Sequence, residues 1–206
     1  MNQGTAEWFN DRLGKVTASK IADVMMKPST AGFQNYRAQL VCERLTGTPT
    51  ETFKSAAMEH GTETEPQARA VYTMREGFDV SEVGFIPHPT IAMSGASPDG
   101  LAGDKGLVEI KCPQPPEHIR ILTGGDIKRN YVLQMQWQMA CTGREWCDFV
   151  SFNPALPFEM QMHCQRVTAD HELQDEISKA VTAFLAEVDA TTKQLIETYN
   201  NEDQAA

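Results

Sequence analysis

The run Leu107-Val108-Glu109-Ile110-Lys111-Cys112 constrains this chain more than any other segment. Its apolar, β-branched character predicts a strand, yet Glu109 and Lys111 stand two apart in it. They therefore project from one face while Val108 and Ile110 enter the core. Ahead of it, Ser97-Pro98-Asp99-Gly100-Leu101 runs into Gly103-Asp104-Lys105-Gly106, which reads as a hairpin turn returning Asp99 to the side of Glu109. Parity decides whether the two acids meet. An even loop pairing Ala102 with Leu107 sets Asp99 opposite Ile110, on the wrong side. An odd loop, a bulge, or irregular backbone just after Pro98 sets it opposite Glu109. One of these departures is expected, giving an acidic pair able to hold a hard cation. The other reading of the same residues is a surface hairpin with solvated charges.

With 206 residues, 41% of them hydrophobic, and no Pro/Gly/Ser-rich linker, the chain predicts a single domain with a sizeable core. Its expected parts are N-terminal helices over about 6–77, a sheet core over about 78–167 and a C-terminal helix over about 169–199. No apolar run approaches the ~20 residues needed to cross a bilayer. Met1-Asn2-Gln3-Gly4 lacks the basic-then-apolar order of a signal peptide, so a cytoplasmic location is expected. Five cysteines without a CxxC pair and five histidines without HxxxH spacing give reduced thiols and structural imidazoles rather than zinc; His163 beside Cys164 is the one pair to check.

A net charge of −10 works against binding a polyanion. The sum hides its distribution. Acids gather from Asp148 onward, whereas Arg12, Lys15, Lys20 and Lys27 cluster in the first thirty residues, which allows a basic groove on an acidic body.

Periodicity and caps predict an α/β fold with a central mixed sheet flanked by helices. Helices are expected at 6–13, after Thr17 through Met25, from Phe33 to Leu45 ended by Gly47, and from Lys54 to Glu76 with an interruption at Gly61 and a fresh start before Pro66. Strands are expected at Val80–Ile86, Ile91–Met93, Asp99–Ala102 and Gly106–Cys112, all in one sheet, then at Trp146–Asn153 and Phe158–Val167. A short helix over Ile119–Leu122, a long one over Asp126–Cys141 capped by its Asp, and an amphipathic Asp170–Tyr199 complete the chain.

The acids alone indicate metal chemistry. Asp99 and Glu109 offer hard oxygen ligands for Mg²⁺, with Mn²⁺ as a substitute, and the carbonyl of Ile110 adds a third donor. Lys111 beside them can orient or deprotonate a water. Such a centre suits phosphodiester hydrolysis, which needs an in-line water, neutralised phosphoryl oxygens and a stabilised leaving alkoxide.

Four blocks surround this pair in order: Trp8-x-x-x-Arg12-Leu13-Gly14-x-Val16-Thr17-Ala18-Ser19, Gly61-x-x-x-Glu65-x-x-Ala68, Pro98-Asp99 with Glu109-x-Lys111, and Tyr131-x-x-Gln134-x-Gln136. Together they resemble the phage lambda exonuclease family, also called YqaJ-type viral recombinases, within the PD-(D/E)xK nucleases. The likeness runs from Trp8 to the strands near Phe152. It implies a restriction-endonuclease-like core in which Glu65 adds a metal or water contact, where the residues alone suggest a solvated first helical turn; Glu59 and Glu63 are the substitutes. It also implies that Tyr131 and Gln134, one helical turn apart, order the site, with Gln136 on another face. By the same resemblance Arg12, Ser19 and Ser97 hold the 5′-phosphate of a DNA end, with Trp8 either stacking near DNA or packing in the core.

The implied activity is Mg²⁺-dependent 5′→3′ exonucleolysis of linear double-stranded DNA. It would release mononucleotides and leave 3′ single strands for annealing-based recombination. A ring-shaped homotrimer, a single-strand annealing protein as partner and a phage or prophage origin are implied in the same way. Two other readings stay open: a structure-specific or restriction-type endonuclease, and a non-catalytic DNA-binding or assembly protein.

Overall fold

The computed structural model describes residues 3–50 and 56–200. In chain order its elements are α1 (Ala6–Arg12), β1 (Val16–Thr17), α2 (Ile21–Val24), α3 (Ala31–Thr46), α4 (Ala56–Glu76), β2 (Val80–Ser81), β3 (Ile86–Pro87), β4 (Ser94–Ala96), β5 (Gly100–Ala102), β6 (Gly106–Lys111), α5 (Pro115–Leu122), α6 (Arg129–Thr142), β7 (Trp146–Phe152), β8 (Met162–Thr168) and α7 (His171–Asn200). Short 3₁₀ turns occupy Ala18–Lys20 and Phe158–Met160.

Strand β6 lies at the centre of a mixed five-stranded sheet of order β2-β5-β6-β7-β8, antiparallel to β5 and parallel to β7. Both of its faces are covered. Val108 and Ile110 join Val150, Phe152, Ala68 and Tyr72 under α4, while Leu107 joins Cys147, Phe149, Met135, Met139 and Ile121 under α5 and α6. Glu109, paired in register with Phe149, therefore points into the covered α6 side and is fully buried.

The expected single sheet is two. A second, three-stranded sheet has the order β1-β4-β3, with β1 parallel to β4 and β3 antiparallel to it. The predicted strand Val80–Ile86 is split between the sheets: its start pairs with β5 and its end with β4. Thr17 ends β1 and also stands at the cap of the 3₁₀ turn leading into α2, without a side-chain cap bond; its N–H is donated to the Tyr36 hydroxyl. Ile91–Met93 is turn, not strand. Met93 has φ 60°, which breaks the extended run and aims its carbonyl at the Val16 N–H, 2.9 Å away.

Helix α4 runs unbroken through Gly61 and Pro66. The exposed proline forgoes one intrahelical hydrogen bond without interrupting the rod; the predicted start at Lys54 lies outside the described residues. Helix α6 begins at Arg129 with Lys128, not Asp126, at its cap. Phe158–Met160 is a 3₁₀ turn, so the last strand starts at Met162. Gly47 ends α3 as expected, at φ +66° with its N–H on the Glu43 carbonyl.

Helix α6 is buried nearly all round, which makes it a central strut rather than a surface helix. Trp137 joins the cluster formed by α2, α3 and α7 and donates its indole N–H to the Gly95 carbonyl of the small sheet. Gln136 donates to the Thr168 carbonyl and accepts from the Asp170 N–H and the Gln174 amide, tying α6 to the start of α7. All five cysteines are free thiols. His118 is buried between the Ser151 hydroxyl and the Met160 carbonyl, an ordinary structural role. No described helix is long and apolar enough to cross a membrane.

Candidate active site

Residues 97–99 connect the two sheets, and both ends of this connection carry site residues. The loop between β5 and β6 holds three residues, since Ala102 pairs with Gly106 and Gly100 with Val108. This is the odd loop that parity demanded. It turns through Gly103 at φ +53° and is fastened by Arg144, which donates to the Gly103 and Gly106 carbonyls. One further step of the register brings Asp99 opposite Glu109, and Asp99 Oδ2 accepts the Ile110 N–H at 2.7 Å.

Around Glu109 the sequence-predicted group converges. Lys111 Nζ and Gln134 Nε2, the latter at 2.7 Å, both donate to Glu109 Oε1. The Tyr131 ring lies under the Lys111 ammonium, 5.1 Å from its centroid, and stacks on Phe149. Gln138, which sequence reasoning missed, donates to Glu109 Oε2 at 2.6 Å. Its signal was present: Gln138 is one helical turn beyond Gln134, on the same face.

Glu65 reaches the same field from α4. Its carboxylate is paired with Arg69 at 2.5 Å, and Arg69 also holds Glu82 at 2.7 Å. Burial, strengthened by the charges of Glu109 and Glu65, pushes the Asp99 carboxyl well above the usual range, against the pull of Lys111 and the Ile110 N–H. Glu65 is raised as well, chiefly by burial, with Arg69 opposing. For Lys111, burial favours the neutral amine, but the charges of Glu109 and Asp99 outweigh it and raise its proton affinity.

Among the described residues no three Asp, Glu, His or Cys side chains form a closed cage for an ion. The donor set nevertheless fits a divalent cation. Asp99, Glu109, Glu65 and Glu82 face two cations, Lys111 and Arg69, an excess of negative charge in a partly desolvated place. Mg²⁺ in particular needs only one or two protein carboxylates, keeps several waters and takes substrate phosphate oxygens as further ligands. Asp99, Glu109 and the Ile110 carbonyl would hold it, with Glu65 alongside.

At the other end of the connection, Ser97 Oγ accepts from Trp8 Nε1 at 3.0 Å and from Arg12 Nη1 at 3.3 Å, and the Arg12 guanidinium lies 3.9 Å from the Trp8 ring centroid. Arg12 has no ion pair among the described residues, and burial lowers its proton affinity despite the charge of Glu43. Ser19 is not part of this cluster: it is exposed in the 3₁₀ turn after β1 and makes no hydrogen bond among the described residues. Gln3 donates to the Pro98 carbonyl at 2.8 Å and steadies the connection.

Two sheets flanked by helices, with an Asp, a Glu-x-Lys strand and a glutamine-bearing helix at their junction, define a protein with a nuclease fold. The model of the YqaJ-like viral recombinase domain matches residues 7–145, and the chain belongs to that family. It is similar to an alkaline exonuclease from Laribacter hongkongensis, at 54% identity and a TM-score of 0.91 over 96% of this chain and 99% of that one; a structure of that enzyme with dAMP aligns equally. A phage-related exonuclease from Haemophilus somnus, 16% identical over 88% of this chain and 96% of its own, shares the fold at a TM-score of 0.70. An uncharacterized protein of Acanthamoeba polyphaga mimivirus is 28% identical over 72% of this chain; the chain spans only 28% of that relative's length.

Proposed function

We propose that this protein is a divalent-cation-dependent 5′→3′ exonuclease. It degrades one strand of linear double-stranded DNA from an end, releases mononucleotides and leaves a 3′ single strand for annealing-based recombination. The observation that carries this reading is the three-residue loop that sets Asp99 against Glu109-x-Lys111, beneath the glutamine face of α6. Family membership and the exonuclease relative support the reaction class; the dAMP bound to that relative is of the proposed product type.

In this reading Mg²⁺, when bound, neutralises the phosphoryl oxygens and makes the attacking water more acidic. The chain's own residues do the rest. Asp99 and Glu109 would hold the cation, and Lys111, held on Glu109 Oε1, orients the attacking water or takes up its proton. Tyr131 and Gln134 hold Lys111 and Glu109 in place, and Glu65 contributes from α4. Arg12, Ser97 and Trp8 receive the terminal 5′-phosphate, because a half-buried guanidinium without a carboxylate partner is a site for an anion. Assembly into a ring trimer and cooperation with a single-strand annealing protein belong to the same proposal.

End-labelled linear duplex with Mg²⁺ tests the reading. Mononucleotides from 5′-phosphorylated ends are expected. Cutting of circular duplex without ends would favour an endonuclease, and binding without turnover a non-catalytic protein. Asp99→Ala and Lys111→Ala should each abolish cleavage while DNA binding survives; turnover retained in both would remove the site assignment.

A further inference from the structure

The structure assigns Gln138 as a positioning residue that fixes the plane of the Glu109 carboxylate by holding its Oε2. This inference rests on the cation-dependent reading above. The terminal torsion of a glutamate is broad, so burial of Glu109 does not by itself fix its two oxygens. Lys111 and Gln134 both bind Oε1 and together act as a pivot. Gln138 supplies the anchor on Oε2. Gln138 is fully buried and Lys111 and Gln134 are partly buried, so donors on both oxygens hold the buried carboxylate in one plane.

Gln138 serves this anchor at a cost to itself. Its own Oε1 is buried and finds no partner among the described residues. A methionine would fill the same space and spare the Gln138 oxygen but leave Glu109 Oε2 without its donor, so the amide's benefit lies at Glu109 and not in packing. Hydrogen-bonding partners of ligating side chains typically govern metal affinity by 10- to 100-fold.

The test is calorimetric titration of the full, metal-free chain with Mn²⁺ alone, no DNA present, for the wild type, Gln138→Met and Gln138→Asn. Both variants should fold, with a lowered thermal midpoint because Glu109 Oε2 loses its donor, and bind Mn²⁺ about tenfold more weakly. In turnover, kcat should fall while KM for DNA ends stays unchanged. The asparagine variant keeps an amide too short to reach Oε2, so the inference stays testable if the methionine variant misfolds. Wild-type affinity in a folded variant would make Gln138 merely structural and overturn the inference. A wild type that takes up no Mn²⁺ would instead sink the cation-dependent reading on which it rests.

Discussion

Replacing Arg12 by alanine should erase the preference for a phosphorylated 5′ end. The side chain is spanned by two contacts, the Trp8 ring at 3.9 Å and the Ser97 hydroxyl at 3.3 Å, and by no acid. A hydrogen bond to a charged group contributes about 1.5–3 kcal/mol net, and every 1.4 kcal/mol is about tenfold. Loss of the guanidinium should therefore slow attack on 5′-phosphorylated duplex roughly 10- to 100-fold. The same duplex with a 5′-hydroxyl never used that bond, and its rate should change about twofold at most. The fold should tolerate the change. Losing the cation–π contact costs about 0.5–2 kcal/mol, a fall of roughly 1–8 °C in thermal midpoint for a chain of this size, and removing a partly desolvated charge offsets some of it.

Initial rates on two duplexes that differ only at the 5′ terminus, each internally labelled and followed by release of acid-soluble nucleotide, measure the discrimination directly. An unchanged ratio would place the phosphate elsewhere. An equal slowing of both substrates would mean that Arg12 supports the connection 97–99 as structure and does not touch the end. Arg12→Lys separates charge from shape: retention of half the preference or more would show that a point charge suffices and that fork-to-phosphate geometry is not needed.

Gly106→Ala should destabilise the protein by about 1–3 kcal/mol, because an added Cβ would stand 2.0 Å from the Trp146 ring that faces it across the ladder; urea unfolding with an unchanged midpoint would show that the ring moves aside freely. With a thiol reagent at pH 8, exposed Cys42 should react first. Cys112 and Cys164, whose thiols burial pushes up to about 12, should lag because little thiolate is present, and Cys141 and Cys147 should wait for denaturation; two or more fast thiols in the native protein would contradict this burial pattern.

The sequence carried the centre of the site well because its geometry is local. Strand parity and loop length relate Asp99 to Glu109 within a dozen residues, and a one-turn helical step relates Tyr131 to Gln134. Non-local pairing was the harder part. Val16–Thr17 becomes strand only because Ser94–Gly95 lies beside it, and nothing in its own residues distinguishes that from a helix cap. Likewise Val80–Ile86 reads as one strand until its two ends find partners in different sheets. Gln138 was passed over for another reason: amid Trp137 and Met139 it looks like one polar residue in an apolar stretch, and only a buried acid across from it explains its presence. Ser19 rests on resemblance; its exposed hydroxyl stands apart from the contacts that join Trp8, Arg12 and Ser97.

The spacing between the two halves of the site bears on product size. Ser97 and Asp99 are two residues apart, and an extended chain advances at most about 3.6 Å per residue, so their backbones are separated by no more than about 7 Å. Phosphates along one DNA strand are spaced about 3.4 Å per step along the axis. A terminal phosphate seated at Arg12 and Ser97 would therefore lie only a short stretch of strand from Asp99 and Glu109. Pro98 between them, its carbonyl tied to Gln3, cannot lengthen that gap without breaking the hydrogen bond. An enzyme cutting internally has no use for an anion pocket at so short a tether, whereas one releasing single nucleotides requires it, which is why loss of the Arg12 pocket should spoil end selection before it spoils the chemistry.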